Sequence, residues 1–96
     1  MSDTQIQIGW DAAAKAKYDQ MIRKIPLFHR EIAKVVVDKK AIMNAQERGS
    51  HAVEEPDIVR AFFSEVPMTF YSLMIRLFDE VGFDYKRHEP KDTDGN

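Results

Sequence analysis

The sequence predicts an all-α fold: a compact four-helix domain with one long central helix, in the order short, long, short, medium. Two observations lead to this prediction. Apolar residues recur at spacings of three and four in four separate segments, which is the period of an amphipathic helix. Residues that begin or end helices stand between these segments, namely Pro26, Gly49, Pro56, Pro67 and Gly82.

The first helix is predicted to follow Asp11 and to end near Lys24. Asp11 is suited to cap a helix N-terminus because its carboxylate can accept from the free N–H groups of the first turn. Apolar residues follow at helical spacing from Trp10 onwards. Ile25 precedes Pro26, and proline disfavours helical geometry in the residue before it, so the helix should end there.

The second and longest helix is predicted from Pro26 to about Arg48. Proline suits a first helical position, and Gly49 suits the left-handed stop after the last turn. The β-branched run Val35 to Val37 is locally strand-like, but the helical period continues on both sides of it. The stripe expected to face the core holds Phe28, Ile32, Val35, Ile42 and Ala45.

A short third helix and a fourth helix of medium length complete the predicted domain. The third begins among the acids around Pro56, where the helix dipole favours negative charge, and ends at Val66 before Pro67. The fourth runs from about Met68 to Val81 and ends at Gly82. Its predicted core face holds Phe70, Leu73, Met74, Leu77 and Val81, and a second apolar stripe roughly opposite holds Tyr71, Ile75 and Phe78.

The predicted domain organisation is a flexible N-terminus over residues 1–9, one helical domain over 10–85, and a disordered tail over 86–96. The tail is predicted from its run of charged residues, proline and glycine without an apolar anchor. The expected core consists of Trp10, Tyr18, Ile22, Phe28, Ile32, Val35, Ile42, Phe62, Phe70, Leu73, Met74 and Leu77.

Composition narrows the classes of function. The chain has no cysteine, which excludes disulfides and thiolate metal or cluster ligands and favours a reducing, cytoplasmic location. No apolar run is long enough for a membrane helix, so no membrane association is expected. The net charge of −2 argues against a nucleic-acid partner.

No catalytic constellation is recognisable in the sequence. The three histidines, His29, His51 and His88, form no metal-binding pair, and the acids around Pro56 are explained by the helix N-terminus they begin. Neither a glycine-rich phosphate loop nor a serine nucleophile motif is present. The sequence therefore predicts a non-enzymatic protein with no catalytic residues, no metal site and no cofactor.

Several spaced residues resemble a known family. The strings are Trp10-Asp11-x-Ala13-Ala14, Ile25-Pro26-Leu27-Phe28-x-Arg30, Asn44-Ala45-x-x-Arg48-Gly49 and Val53-x-x-x-Asp57-Ile58-Val59-x-Ala61. Over about residues 10–62 the chain resembles the PCP reductase family, the small C-terminal domain of the light-independent protochlorophyllide reductase B subunit. That family also occurs as short stand-alone proteins.

The resemblance implies a compact helical domain that accompanies a tetrapyrrole-reducing enzyme without holding its iron–sulfur cluster. Nothing in this chain resembles the large body of that enzyme, and without cysteine it has no thiolate for a cluster. Reductase activity is therefore not expected here. Tetrapyrrole binding is an alternative prediction, with His29 and the methionines as conceivable axial ligands.

The short-long-short order of helices, with Val53-x-x-x-Asp57-Ile58 after the long one, is also similar to the histone fold. Histone-like chains usually pair the aspartate with a basic residue in the preceding loop. Ser50, His51 and Ala52 stand there, so this clamp is expected to be missing or altered. A histone-like DNA-binding dimer is thus the weaker alternative.

The leading prediction is a protein-interaction or accessory module that associates with itself or with another protein. A helix that is apolar on two sides is normally covered on two sides. The predicted contact surface is the second stripe of the fourth helix with one residue of the third, Phe63, Tyr71, Ile75 and Phe78. A homodimer or a protein partner would cover it.

Overall fold

The computed structural model describes residues 8–89, which form four α-helices and one pair of two-residue strands. This confirms the predicted all-α fold with a long central helix. In chain order the elements are β1 (Gly9–Trp10), α1 (Ala12–Lys24), α2 (Leu27–Glu47), β2 (Ala52–Val53), α3 (Glu55–Glu65) and α4 (Tyr71–Val81). Two 3₁₀ turns, at Met68–Phe70 and Lys86–His88, precede and follow α4.

The helix ends follow the local signals in the sequence. The Asp11 carboxylate accepts from the N–H of Ala14 at 3.0 Å and begins α1. Gly49 and Gly82 have φ of 74° and 88°, the left-handed conformation that glycine adopts without steric cost, and they follow α2 and α4. Phe83 then folds back on Phe78, with ring centroids 5.6 Å apart.

The strand pair is a feature that the sequence analysis does not predict. Gly9 pairs with Ala52 and Trp10 with Val53 in parallel register. The Asp11 N–H donates to the Val53 carbonyl at 2.9 Å, so the pairing continues into the start of α1. Gly9, placed in the flexible N-terminus by the sequence analysis, is therefore part of the folded domain.

The predicted terminal segments lie only partly within the described residues. Positions 1–7 of the predicted flexible N-terminus and 90–96 of the predicted tail are outside them. Residues 86–89, predicted as part of a disordered tail, begin with the 3₁₀ turn Lys86–His88. This turn packs on α3, directly after the buried Tyr85. The ordered chain thus extends past the predicted boundary at residue 85.

The core face of α2 differs from the predicted one, of which Ala45 is buried and Ile42 half-buried, and that of α4 differs only at its N-terminal end. Phe28, Ile32 and Val35 are 87, 69 and 63 % exposed, whereas the opposite face of α2 is buried. That buried face is built from small side chains, which let α3 approach closely. It consists of Val37, Ala41, Asn44 and Ala45.

On α4 only the N-terminal end differs: Phe70 and Leu73 are partly exposed, whereas Met74, Leu77 and Val81 of the predicted core face are buried. The expected core residues Tyr18, Ile22, Phe62, Met74 and Leu77 are buried as predicted, and Trp10 and Ile42 are half-buried against the core. Two of the largest apolar side chains of the predicted α2 stripe, Phe28 and Ile32, are therefore left outside the core.

A sharp corner separates α3 from the segment that follows it. Val66 has an extended backbone ahead of Pro67, and the helical segments Glu55–Glu65 and Met68–Val81 are bent by 117° at this break. Within residues 8–89 no single helix has the length and apolarity of a membrane span. These two segments meet that criterion only when taken together as the bent pair.

Candidate functional site

The most distinctive surface of the molecule is apolar. Large apolar side chains are exposed along α2 and around the start of α4. Phe28 is the most exposed of them, with 87 % of its surface accessible. Exposed apolar residues that stand singly are ordinary, but a group of them marks a contact surface. The exposed large apolar residues are Leu27, Phe28, Ile32, Val35, Met43, Met68, Phe70 and Leu73.

Many of these side chains border a groove of about 480 Å³ between the N-terminal half of α2 and α4. Phe28 and Ile32 line one wall, and Phe70 and Leu73 line the other. Its floor consists of buried side chains that belong to the core, among them Met21, Phe62, Met74 and Leu77. The groove is therefore an opening into the core and has the size of a ligand pocket.

Two proline corners border the opening. Ile25 and Val66 each have an extended backbone because a proline follows, and each ends a helix at that point. Both corners, Ile25–Pro26 and Val66–Pro67, line the groove. The chain therefore changes direction at both places, beside the groove.

Arg30 fixes the first of these corners. Its guanidinium donates to the carbonyl of Arg23 at 2.8 Å and to that of Ile25 at 3.0 and 3.2 Å. These carbonyls belong to the C-terminal end of α1, where a cation is favourable. Arg30 thus ties the start of α2 to the end of α1 beside the groove.

Two polar side chains, His29 and Glu65, are among the lining residues. The His29 ring contacts Phe28 edge-on, with centroids 5.1 Å apart, and lies 6.1 Å from the Phe70 ring. It therefore spans from one wall of the groove to the other. The lining offers one imidazole and one carboxylate in otherwise apolar surroundings, a composition typical of a binding surface.

The contact surface predicted from the sequence lies elsewhere and is mostly covered by the chain itself. Phe78 is fully buried and Phe63 is 6 % exposed, while Tyr71 and Ile75 are half-buried. The Tyr71 hydroxyl donates to the Phe63 carbonyl, and their rings meet edge-on at 5.4 Å. Phe63, Tyr71 and Phe78 pack on one another and Ile75 packs against the core, so the exposed groove replaces them as the candidate site.

A bidentate ion pair joins the end of α2 to the start of α3. The Arg48 guanidinium donates to the two carboxylate oxygens of Asp57 at 2.8 and 2.7 Å, and the Glu54 N–H donates to the same carboxylate at 2.9 Å. The clamp is therefore present in an altered form. Its cation comes from the end of α2 instead of from Ser50, His51 or Ala52.

The surroundings of Asp57 keep it ionised. Burial alone would raise the pKa of this carboxyl, but the hydrogen bonds from Arg48 and the Glu54 N–H, together with the Arg48 charge, hold the pKa below its usual range. Asn44 donates to the Asp57 carbonyl at 3.0 Å in the buried contact between α2 and α3. These contacts give the pair a structural role.

The remaining candidate groups lie away from the groove, and Glu55 and His88 border a separate cavity of about 240 Å³. Glu55, from the acids at the start of α3, accepts from Lys17 at 2.9 Å and from the Asp84 N–H at 2.8 Å. Burial, with the charges of Arg87 and Arg60, lowers the pKa of His88. Among residues 8–89, no group of three or more histidine, aspartate or glutamate side chains is placed to hold a metal ion.

Comparisons with known proteins do not assign the chain to a family. No protein-family model, no curated protein and no solved structure matches it.

Proposed function

We propose that this chain is a non-enzymatic helical interaction module that docks its binding partner in the groove between α2 and α4. The observation that carries this proposal is the exposure of Phe28, Ile32, Phe70 and Leu73 along both walls. Burying apolar surface yields about 25 cal/mol per Å², so covering these walls would supply substantial binding free energy.

The architecture of the groove supports binding of an apolar side chain or ligand. Its walls stand on two helices, and its floor is the packed core, so the shape exists before a partner arrives. A preformed site reduces the ordering cost of association. The docking surface is therefore the exposed groove and not the stripe of Tyr71, Ile75 and the buried Phe78.

The first test uses an apolar fluorescent dye, 1-anilinonaphthalene-8-sulfonate, at low protein concentration. We expect the dye to bind the folded chain and to shift the amide resonances of the groove walls. Leu73→Gln should weaken binding at least about fivefold, because each lost apolar contact in a pocket is worth about 1–3 kcal/mol.

Met43→Gln is the matched control. Met43 is 40 % exposed and Leu73 38 %, but Met43 does not line the groove. The Met43→Gln variant should bind the dye as the unchanged chain does. Circular dichroism checks that both variants are folded. Equal loss in the two variants, or resonance shifts away from the groove, would contradict the proposed docking surface.

A second candidate function, tetrapyrrole or other hydrophobic-ligand binding, is favoured by the position of His29. Its imidazole lies at the groove, where Met21 and Met74 also contribute to the lining. A volume of about 480 Å³ is within the range of cofactor sites, and imidazole and thioether are both known ligands of haem iron. His29 is the more accessible of these groups, because both methionines are buried.

Ferric protoporphyrin is the probe for this second candidate. We expect the Soret band to shift to longer wavelength when the protein is added, and the shift to be lost in His29→Ala because the imidazole ligand is removed. His51→Ala is the control, since His51 is exposed and does not line the groove. A Soret band that stays unchanged with the natural sequence would refute tetrapyrrole binding.

A further inference from the structure

We infer that the partner in the groove is a second copy of this chain, with Phe28 of each copy seated in the groove of the other about a two-fold axis near Ile32. This inference rests on the proposed docking surface and adds the identity of its occupant. Three features of the described residues support it: a projecting side chain beside a cavity, the amount of exposed apolar surface, and the outer face of α2.

The surface carries both halves of a self-complementary contact. In a two-fold interface the same patch serves both subunits, so a residue that inserts and the pocket that receives it must lie side by side. Phe28 is 87 % exposed and stands on the wall of the groove itself. Rotation about a nearby axis therefore brings each Phe28 to the other groove.

The exposed area matches what a dimer requires. Phe28, Ile32, Phe70 and Leu73 line the groove, and three more exposed apolar residues lie within three positions of them, Leu27, Val35 and Met68. With about 150–200 Å² for each fully exposed side chain, together they present roughly 800 Å². A stable interface buries about 800 Å² on each partner, and the largest apolar patch of a typical monomer is about 300–600 Å².

The outer face of α2 has the spacing of a helix that packs on another helix. Phe28, Ile32 and Val35 are separated by four and three residues and lie opposite the buried Val37 and Ala41. Two such helices crossing antiparallel near Ile32 would place Phe28 of one copy beside Val36 of the other. Val36 lines the groove, so this arrangement and the insertion of Phe28 describe the same contact.

Light scattering over a concentration series tests the inference. We expect the mass to rise from the 11.1 kDa of one chain towards twice that value. Phe28→Asp should raise the dissociation constant at least about thirtyfold, the effect of losing a central apolar contact residue. Met43→Asp places the same charge on α2 away from the groove and should dimerise as the unchanged chain does.

Disulfide trapping provides a second measurement on a chain that has no cysteine of its own. Ile32→Cys should form a disulfide-linked dimer about tenfold or more faster than Met43→Cys, because an axis near Ile32 holds the two introduced thiols close together. Equal rates for the two variants would overturn the proposed axis. A dimer that survives Phe28→Asp but not Met43→Asp would also overturn the inference.

The outcomes separate this inference from the proposed function. If the groove is covered by a second copy, dye binding should decline as protein concentration rises. A chain that stays monomeric at every concentration while its groove binds the dye would refute the second copy and leave the docking surface intact. If the unchanged chain is monomeric and its groove binds no dye at any concentration, the docking surface itself fails.

Discussion

Replacing Phe78 with alanine is expected to lower the free energy of unfolding by about 3–5 kcal/mol. The Phe78 ring is fully buried, and its centroid lies within 5.6 Å of those of Phe62, Phe63, Phe83 and Tyr85. Removing it leaves a cavity at the meeting point of α3, α4 and the segment after α4. Urea denaturation followed by far-ultraviolet circular dichroism measures the change.

Phe28→Ala is the matched control, because it removes the same ring from a site that is 87 % exposed. At a protein concentration low enough to exclude association, its effect should stay within about 0.5 kcal/mol. The comparison of the two variants decides whether the face with Phe78 or the groove face with Phe28 is internal to the chain. Equal destabilisation by the two substitutions would mean that the groove face is covered within the single chain.

Replacing Asp57 with asparagine is expected to destabilise the fold by about 2–3 kcal/mol, somewhat less than the roughly 3–5 kcal/mol typical of a fully buried pair. Asp57 is fully buried and loses its charge-assisted bonds, but the Arg48 side chain is 38 % exposed and can recover hydration. Glu54→Gln is the control. Glu54 is 53 % exposed and 3.4 Å from Arg48, so its loss should cost within about 1 kcal/mol.

The same pair predicts a dependence of stability on pH. The pKa of Asp57 is lower in the folded chain than its usual value of 3.8, so the unfolded chain binds the proton first. The stabilisation is therefore complete above about pH 5 and is lost as the pH falls through the folded pKa. Denaturation series should show the unchanged chain losing more stability than Asp57→Asn on acidification, whereas parallel profiles would contradict the ion pair.

The helices were predictable because their ends depend on nearby residues. Asp11 caps α1 through a residue three positions away, and Gly49 and Gly82 supply the left-handed conformation wherever the preceding turn stops. Such signals need no knowledge of the tertiary structure. They placed the four helices correctly to within a few residues.

The choice of core face was not predictable in the same way. On α2, Phe28 and Ile32 favour burial by size, yet the helix faces the core with Val37 and Ala41. Small side chains allow α3 to pack closely, and Asn44 adds a buried hydrogen bond across that contact. Hydrophobicity ranks the larger residues first, but the fit between two helices decides which stripe is buried.

The groove and the clamp depend on segments that are distant in sequence. The corners at Pro26 and Pro67 belong to different helix pairs, and nothing local indicates that they open on the same space. The histone-like pattern places the partner of Asp57 in the loop immediately before β2, whereas Arg48 reaches it from the end of α2. The apolar stripe with Phe28 and Ile32, which the sequence predicts on the core face of α2, is the feature that marks the groove.

The pairing of β1 with β2 has a consequence for how the chain acquires its structure during synthesis. Gly9 and Trp10 emerge from the ribosome before their partners Ala52 and Val53, which follow about forty residues later, a long separation for a strand pair. Until then α1 and α2 have neither the strand pair nor α3 to close against. Completion of the native structure should therefore wait for the second half of the chain.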